Sequence, residues 1–453
     1  MPELYPFPVL QPAVTVTGAD PTGTTDSSAA FIAAANSLGA RRGTVWIPPG
    51  KYRVQNLPLK SGLYWVGAGQ GAIDGSNGVY LGPIASPTLP CFVCVPDGSG
   101  DLYGSGISNM YVAGLQNKAT ATIDAIDASP ITGQCHQLLM DNVWFDGWRR
   151  CYNGSANDRS IQATRCHFWN STVGLYIPNN HPKLSVWNDF RTCTYGIQGT
   201  LVDASIKNQQ FVACDQGVGP ISTQINNAHF SNCEFFQCVN YGLQIGSLCD
   251  VDACQIVPPA ANMPTGLIIT GGSNTVNGTH FVNGAGGGTG FTNGAITFDC
   301  VTAAGAIVGD NITGCQFYTT NNAAILYHIT SGSGHDIVNL NFSGNSLRDP
   351  GRIYTRSAAF GTVFYSSFNN NNLRLENTNI GASGDVFAVN NANTVGNTYL
   401  GNVIAAFAGA TLRYAFGGDL TQSIIMGNYV RRTSGIDPAA APSAIINNNI
   451  FQP

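Results

Sequence analysis

Residues 166–197 read CHFWNSTVGLYIPNNHPKLSVWNDFRTCTYGI, and this stretch contains the same short pattern twice. In each copy, a phenylalanine is followed three residues later by serine or cysteine, and then by glycine and an aliphatic residue. The pattern recurs through the middle of the chain at phenylalanines 22, 21 and 19 residues apart: Phe168, Phe190, Phe211 and Phe230. A fixed repeat of this length, built from short strands, is typical of a stacked solenoid. We therefore predict that each repeat forms one rung of a parallel β-helix.

The composition agrees with such a fold. The chain has 453 residues, of which 54 are glycine and only 10% are charged. Glycine and asparagine tolerate the left-handed backbone angles that tight corners require. Because a solenoid grows by stacking, we predict an all-β fold with one elongated domain, a single-stranded right-handed parallel β-helix over residues 55–435. Residues 1–54 would form an N-terminal segment with a capping helix and hairpin, and residues 436–453 a C-terminal tail.

Charge and hydropathy exclude several kinds of partner. The net charge is −5 and there is no run of lysine and arginine, which argues against nucleic acid or an anionic membrane surface. No apolar stretch is long enough for a transmembrane helix, so we expect no membrane insertion. The first residues lack the basic and apolar regions of a secretory signal, and we therefore expect assembly in the cytoplasm of the producing cell.

The thirteen cysteines are placed like core residues. Cys193, Cys214 and Cys233 follow successive repeat phenylalanines at the same distance, and stacked inward positions are filled by like residues. A free cysteine behaves as a small hydrophobic residue, so we predict a ladder of buried thiols in a reducing compartment. Cys91 and Cys94 form a lone CxxC without a second pair at zinc spacing, and we expect neither a metal site nor a cofactor.

Residues 18–54, GADPTGTTDSSAAFIAAANSLGARRGTVWIPPGKYRV, predict an entrance to the solenoid. Asp26 is a suitable N-cap for a helix over residues 29–38, which Gly39 would end. Strands over 44–47 and 51–54 would flank a Pro-Pro-Gly turn. The first rung of a β-helix otherwise offers an open edge to other chains, and a helix packed over it would close that edge.

The entrance segment resembles the N-terminal motif of the pectate-lyase-like superfamily. The matching residues are 18–20, 25–26, 29, 43–45 and 48–52, and Arg42 stands where the motif has its first glycine. The motif is common in bacteriophage tailspike depolymerases and in several bacterial polysaccharide-degrading enzymes. The resemblance implies a homotrimer in a virion tail that contacts bacterial polysaccharide and other virion tail proteins. Lyases, hydrolases, epimerases and non-catalytic virion parts share the motif, so it leaves the chemistry open.

Strand alternation predicts which side chains face solvent. If the repeat phenylalanines point inward, the residues before and after them point outward. The expected wall contains tryptophan, arginine and histidine, which suit the apolar faces and hydroxyl groups of sugar rings. The predicted substrate-binding residues are Trp144, Arg165, His167, Trp169, Trp187 and Arg191. The alternative is a subunit interface, where tryptophan and arginine are also frequent, and a trimer would be compatible with both.

Two carboxylates are candidates for catalysis. Asp215 and Glu234 each follow a repeat phenylalanine by four residues, which would place them in equivalent positions of adjacent rungs. Parallel strands lie about 4.8 Å apart, so the carboxyl groups would be roughly 5 Å apart, as in a retaining glycosidase. The neighbouring charge would raise the pKa of Glu234, the expected acid, and leave Asp215 as nucleophile or base. Asp189 is a rival, which with Glu234 would give about 10 Å and an inverting mechanism. Alternatively, Asp215 and Glu234 are solvated corner residues.

Asparagine runs mark the C-terminal part of the chain, at 369–372 and 447–449. They predict ladders of side-chain amides at stacked corners.

Together these features predict a phage tailspike-like depolymerase that binds and hydrolyses a bacterial surface glycan, capsule or lipopolysaccharide, on the outer wall of a trimeric β-helix. Two alternatives stay open. One is a structural or receptor-binding virion β-helix without catalytic activity. The other is a bacterial lyase or fructan-acting enzyme, cytoplasmic or released.

Overall fold

The computed structural model describes residues 13–39, 42–70, 77–84, 87–116, 118–157, 160–180, 182–220, 225–259, 263–282, 290–318, 324–331, 334–348, 352–357, 362–375, 385–406, 414–419, 422–431, 434–436 and 445–452. The chain divides into two compact units, Met1–Ser222 and Thr223–Pro453. All strand pairings given for the described residues are parallel, as the repeat predicts. No helix in these ranges is long and apolar enough to cross a membrane.

Three parallel sheets build the first unit. Sheet 1A contains Ala13–Thr15, Thr22–Asp26, Gly43–Ile47, Gly50–Arg53, Leu63–Gly67, Val79–Gly82, Leu102–Ala113, Cys135–Asp146, Ile161–Thr164, His167–Trp169, Asn188–Arg191 and Gln209–Val212. Sheet 1B contains Leu57–Leu59, Phe92–Cys94, Ile126–Asp127, Arg150–Asn153, Val173–Asn180, Tyr195–Leu201 and Gln216–Gly219. Sheet 1C contains Lys183–Leu184 and Ser205–Lys207.

The interior of the first unit follows the predicted repeat. Phe145, Phe168, Phe190 and Phe211 are paired in register and fully buried. Their rings stack with centroids 5.3, 4.7 and 4.9 Å apart along the series. Each ring therefore fills the space between two rungs, which is why the pattern repeats with the rung length.

The predicted entrance helix is present over Ser28–Ser37. A carboxylate oxygen of Asp26 accepts a hydrogen bond of 2.8 Å from the Ser28 backbone N–H at the start of the helix. The helix buries Phe31, whose ring lies 5.2 Å from that of Tyr52 and 5.9 Å from that of Trp65. It ends before Gly39, which adopts a left-handed φ of 60°.

Asp20 organises the loop before this helix. Its carboxylate accepts hydrogen bonds from the backbone N–H groups of Thr22, Thr24 and Thr25, at 2.9, 3.0 and 2.8 Å. Hydrogen bonds from the Thr22 and Thr24 hydroxyls, together with these N–H groups, lower the pKa of Asp20 well below its usual value. Asp20 and Thr25 of the entrance motif therefore have a structural role, since they belong to one hydrogen-bonded loop.

Four parallel sheets build the second unit. Sheet 2A contains Glu234–Phe236, Gln255–Val257, His280–Val282, Gln316–Tyr318, Ser346–Arg348, Asn372–Leu375, Val403–Ala406, Tyr429–Arg431 and Ile450–Gln452. Sheet 2B contains Tyr241–Ile245, Met263–Ile269, Phe291–Asp299, Ala324–Ile329 and Arg352–Arg356. Sheet 2C contains His229–Ser231, Asp250–Asp252, Thr275–Asn277, Asn311–Thr313, Asn341–Ser343, Ser367–Asn369, Thr398–Leu400, Ile424–Met426 and Ile445–Asn447. Sheet 2D contains Ile307–Val308, Ile337–Val338, Val363–Phe364, Asp385–Val395, Tyr414–Asp419 and Ser434–Ile436.

A buried asparagine ladder runs along one corner of the second unit, as the sequence predicts. Its members are Asn345, Asn371, Asn402, Asn428 and Asn449. Each of the first four donates its backbone N–H to the side-chain oxygen of the next, at 2.9 to 3.0 Å. Their amide groups also donate to backbone carbonyls, so the polar groups of this buried corner are satisfied.

The predicted burial of the cysteines is confirmed, but Cys233 precedes the inward Phe235 by two residues and therefore does not share the position of Cys193 and Cys214. All thirteen cysteines are free and buried. The Cys193 thiol donates to the Phe168 carbonyl at 3.3 Å, and the Cys214 thiol to the Phe190 carbonyl at 3.5 Å. Burial raises the pKa of Cys166 to about 12 and that of Cys249 to about 11. These thiols therefore stay protonated and serve as small packing groups.

The structure corrects the register of one repeat. Phe230 lies in sheet 2C, where its strand pairs with Asp250–Asp252. The strand that directly precedes the glycine-bearing strand Tyr241–Ile245 is Glu234–Phe236, and its inward residue is Phe235. The pattern of the second unit is therefore carried by Phe235 and Cys238, and Phe230 was assigned to the wrong position because the chain bends between the two strands.

The all-β class, the parallel sheets and the single helix of the described residues agree with the prediction. Stacked strands extend past both ends of the predicted 55–435 β-helix. Ala13–Thr15 pairs with the strand at Thr44, and Ile450–Gln452 pairs with Tyr429–Arg431. The right-handed, single-stranded winding and the undivided domain stay predictions.

Candidate functional site

A vertical row of side chains crosses the outer face of sheet 1A. Strand register places its members one above the other in successive rungs, in the order Lys51, Tyr80, Tyr111, Trp144, His167, Asp189 and Gln210. We call this row the outer column. It includes the predicted Trp144, His167 and Asp189, and it extends upward to two tyrosines that precede the phenylalanine repeat.

The rings of the outer column contact one another. Tyr80 and Tyr111 stack at 5.3 Å, Tyr111 lies 5.4 Å from Trp144, and Trp144 lies 4.9 Å from His167, between ring centroids. Trp169 packs edge-on against Trp144 at 4.5 Å. The two tyrosines are buried, whereas both tryptophans are half-buried. These five rings therefore form a continuous aromatic wall, and its solvent-accessible part begins at Trp144.

Asp189 is buried beneath this wall. Its side chain is only 2% exposed, and one oxygen, Oδ2, accepts a 2.8 Å hydrogen bond from the Trp169 indole N–H. His167 Nδ1 lies 3.4 Å and the Arg191 guanidinium 3.5 Å from the same oxygen. The other oxygen, Oδ1, is buried without a hydrogen-bond partner. Asp189 therefore contacts three residues of the wall through Oδ2. Its other oxygen, Oδ1, accepts no hydrogen bond.

Arg191 covers one face of Trp169. Its guanidinium carbon lies 4.8 Å from the ring centroid, and its side chain is 42% exposed. A guanidinium in this position is attracted both by the ring and by the Asp189 carboxylate. The sequence predicted that Arg191 and Trp169 lie on the same wall, and the structure brings them into contact.

Trp187 and Arg165 lie in adjacent rungs, where the Arg165 backbone N–H donates to the Trp187 carbonyl at 2.8 Å. Trp187 is 42% exposed and its ring meets His167 edge-on at 5.3 Å, so it is the most accessible tryptophan of the cluster. The Arg165 guanidinium donates to both oxygens of Asp141, at 2.7 and 2.6 Å. The positive charge of Arg165 is therefore already engaged by a carboxylate of its own unit.

Asp146 was not singled out by the sequence. It accepts a 2.8 Å hydrogen bond from the Tyr111 hydroxyl and a 3.0 Å bond from the Asn170 amide. Burial, together with the bond to Asp146, raises the pKa of Tyr111 well above its usual value, so this hydroxyl remains a donor. The sequence feature that could have identified Asp146 is its position directly after Phe145, because strand alternation places that position on the outer face.

Asp215 is engaged by a distant lysine. The Lys118 ammonium lies 2.6 Å from its carboxylate, and both side chains are about one-third exposed. The Thr172 hydroxyl donates to the Lys118 carbonyl at 2.7 Å, which fixes the same segment. Residues 114–116 and 118–124, which we call the strap, therefore reach from the rung of Ala113 to that of Phe211, and Asp215 is one of their contacts.

The premise that put Asp215 and Glu234 in equivalent positions is wrong. Glu234 directly precedes the inward Phe235, as Asp189 precedes Phe190, whereas Asp215 follows Phe211 by four residues. Glu234 is exposed in the second unit and pairs with Gln255. The bend between Phe230 and Phe235 accounts for the error. The catalytic role of the two carboxylates stays a prediction.

Among the described residues, no group of three or more His, Cys, Asp or Glu side chains could hold a metal ion. Burial does raise the pKa of one carboxyl outside the wall, Asp310 in the second unit, to about 7.

Comparison with known proteins gives similar structures at low sequence identity. No protein-family model matches the chain, and neither does any curated protein. The A-module of a mannuronan C-5 epimerase from Azotobacter vinelandii is 12% identical, with a TM-score of 0.46 over 97% of this chain and 99% of that chain. The catalytic unit of a thermostable α-1,3-glucanase from Streptomyces thermodiastaticus is 15% identical, with a TM-score of 0.46 over 98% and 69%.

A third similar structure is tailspike protein 3 of bacteriophage CBA120, which is 11% identical, with a TM-score of 0.40 over 97% of this chain and 59% of that chain. Similarity at these identities concerns the fold alone and transfers no activity or substrate. What is established for this chain is a fold of stacked parallel strands, with an aromatic wall on the outer face of its first unit.

Proposed function

We propose that the chain is a tailspike-like polysaccharide depolymerase, which binds a bacterial surface glycan on the outer face of sheet 1A and hydrolyses it. The observation that carries this proposal is the outer column with its flanking Trp169, Trp187 and Arg191. Aromatic rings beside polar groups bind sugars because the rings cover apolar C–H faces while the polar groups meet hydroxyls. The entrance motif is common in tailspike depolymerases and polysaccharide-degrading enzymes, and it does not distinguish hydrolysis from the alternatives.

Trp187 is the proposed stacking residue. It is 42% exposed, whereas Trp144 packs among Tyr111, His167 and Trp169, and Trp169 has Arg191 over one face. His167, whose ring lies 5.3 Å from that of Trp187, supplies a hydrogen-bonding group next to it, and the partly exposed Arg191 lies on the same face of the sheet. A sugar ring on Trp187 would therefore meet polar groups along its edge.

Binding can be tested with a matched pair of tryptophan variants. Trp46 is also 42% exposed but lies in strand Gly43–Ile47, away from the outer column. We expect Trp187→Ala to weaken binding to a recognised surface polysaccharide by roughly tenfold or more, and Trp46→Ala to leave it unchanged. Titration calorimetry with polysaccharides from candidate host bacteria measures both. Equal affinities of the two variants would contradict the placement of the site.

Glu234, Asp215 and Asp189 stay the proposed catalytic carboxylates, and each is tested by itself because Glu234 belongs to the second unit and the other two to the first. Glu234 is exposed, Asp215 pairs with Lys118, and Asp189 is buried under Trp169 and Arg191. We expect Glu234→Gln to reduce oligosaccharide release by several orders of magnitude while binding persists. Asp215→Asn and Asp189→Asn, assayed in parallel, show whether either carboxylate is required. Near-normal release in Glu234→Gln would remove it from the mechanism.

A second candidate function is glycan or receptor binding without catalysis. The observation that favours it is that Asp189 and Asp215 both already have structural partners. Binding of a host polysaccharide without any new reducing ends would establish this alternative. Release of oligosaccharides with a 4,5-unsaturated end that absorbs ultraviolet light would instead indicate a lyase.

A further inference from the structure

We propose that the glycan bound on the outer face of sheet 1A is uncharged at this site, a polymer of neutral sugars without carboxylate groups. This inference rests on the proposed function and specifies its substrate class. It starts from the cations that belong to the outer column, its flanks and the strap: Lys51, Lys118, Arg165 and Arg191.

Each of these four cations already has a partner within the protein. Lys51 lies over the ring of Tyr80, with its ammonium 5.1 Å from the centroid. Lys118 pairs with Asp215 at 2.6 Å, and Arg165 forms its two hydrogen bonds with Asp141. A carboxylate on a sugar would have to compete with these partners.

Among the three cations that face a carboxylate, Arg191 is the one whose partner is the most deeply buried. It lies between the ring of Trp169 and the carboxylate of Asp189, which is only 2% exposed. Moving Arg191 toward an anionic ligand would leave a buried carboxylate without its cation, and an uncompensated buried charge is costly. The arrangement therefore favours hydroxyl groups, which can approach the exposed part of Arg191 without displacing it.

The charge balance points the same way. Three of the four cations lie beside a carboxylate, Arg165 beside Asp141, Arg191 beside Asp189 and Lys118 beside Asp215, so little uncompensated positive charge remains. The whole chain carries a net charge of −5. A polyanionic capsule would thus meet no attractive field, and electrostatic steering would not assist its binding.

The test uses surface polysaccharides from a panel of bacteria, with each acidic polymer measured before and after chemical reduction of its carboxyl groups to alcohols. We expect neutral and carboxyl-reduced polymers to bind at least about tenfold more tightly than the carboxylated parent, with little dependence on salt. Tighter binding of the parent, lost on reduction, would overturn the inference and leave the proposed function standing. Absence of binding to every polymer would overturn the proposed function itself.

A gain-of-function variant tests the cause. Asp141→Asn removes the carboxylate that engages Arg165 and leaves the guanidinium charge free. We expect this variant to bind a carboxylated polymer several-fold more tightly than the wild type, with unchanged affinity for its carboxyl-reduced form. An unchanged preference in a folded Asp141→Asn protein would contradict the idea that pairing within the protein excludes acidic sugars.

Discussion

Asp310 occupies a buried corner position in the second unit where asparagine would be expected. One of its oxygens accepts the backbone N–H and the amide of Asn274, at 2.8 and 3.0 Å, as Asn371 does for Asn345. The other oxygen is buried without a hydrogen-bond partner. Burial accordingly raises the pKa of Asp310 from 3.8 to about 7. Asp310 is therefore protonated in the folded protein at mildly acidic pH. At higher pH it ionises, and the buried negative charge lowers the stability of the folded protein.

This pKa predicts how stability depends on pH. Because the folded-state pKa is raised, the contribution of Asp310 is fully present below about pH 4 and is lost as the pH rises through about 7. We expect Asp310→Asn to stabilise the protein by about 2 kcal/mol at pH 8 and by much less near pH 5. Urea denaturation of both proteins at the two pH values measures the difference. Equal stabilities at pH 8 would contradict the assignment.

Asp189 gives a second prediction at the same scale. Without its carboxylate, the Trp169 N–H loses its acceptor and Arg191 loses its counter-ion. We expect Asp189→Ala to destabilise the fold by about 1–3 kcal/mol and to change the tryptophan fluorescence, because the wall residues lose their support. Asp189→Asn keeps an acceptor for Trp169 and serves as the milder control. A fully stable Asp189→Ala protein would show that the wall holds its shape without this residue.

Among the structural elements, the asparagine ladder stabilises the corners of the second unit. Asn371 accepts from the backbone and amide of Asn345 and donates to Asn402 and to the Phe342 carbonyl. We expect Asn371→Ala to cost about 2–4 kcal/mol, since it leaves several buried groups unpaired at once. The exposed Asn372, in the strand Asn372–Leu375, provides the control, and thermal unfolding compares the two. Similar melting temperatures for both variants would argue against a stabilising ladder.

The elements also show what the sequence could predict. The phenylalanine ladder of the first unit followed directly from the repeat, because like residues fill stacked inward positions. The register of the second unit did not, because Phe-x-x-Cys occurs twice in succession, at Phe230–Cys233 and at Phe235–Cys238. Both phenylalanines point inward from different sheets, and packing demands the same residue types at both. Only the strand pairing distinguishes them.

For the candidate site, alternation correctly placed Trp144, His167, Trp169 and Arg191 on one face. It could not reveal which charges are already engaged, because the partners come from distant parts of the chain. Lys118 reaches Asp215 across 97 residues from an insertion that lies outside the repeat pattern. The repeat likewise gave no indication of Tyr80 and Tyr111, which precede its first phenylalanine.

At the scale of the whole molecule, we expect a homotrimer. Few charges and an exposed tryptophan beside arginines favour packing between copies of the chain, as the resemblance to tailspikes also implies. Multi-angle light scattering at micromolar concentration should give three times the 47.6 kDa chain mass. A stable monomer under these conditions would refute the trimer. Trp187→Ala tests whether Trp187 serves the trimer interface or glycan binding. If the variant is still a trimer, Trp187 is not needed for assembly, as expected for a residue that binds the glycan.

The strap has a consequence for how the first unit folds. In a solenoid each rung contacts only its neighbours, so rungs can form and fray independently from either end. The ion pair between Lys118 and Asp215 joins rungs that are not neighbours, and the bond between Thr172 and the Lys118 carbonyl joins the strap to a rung between them. Such a contact closes a long loop and cannot form before the intervening rungs are in place. Its formation therefore reports that the rungs from that of Ala113 to that of Phe211 are in place, and it adds a contact between rungs that otherwise do not touch.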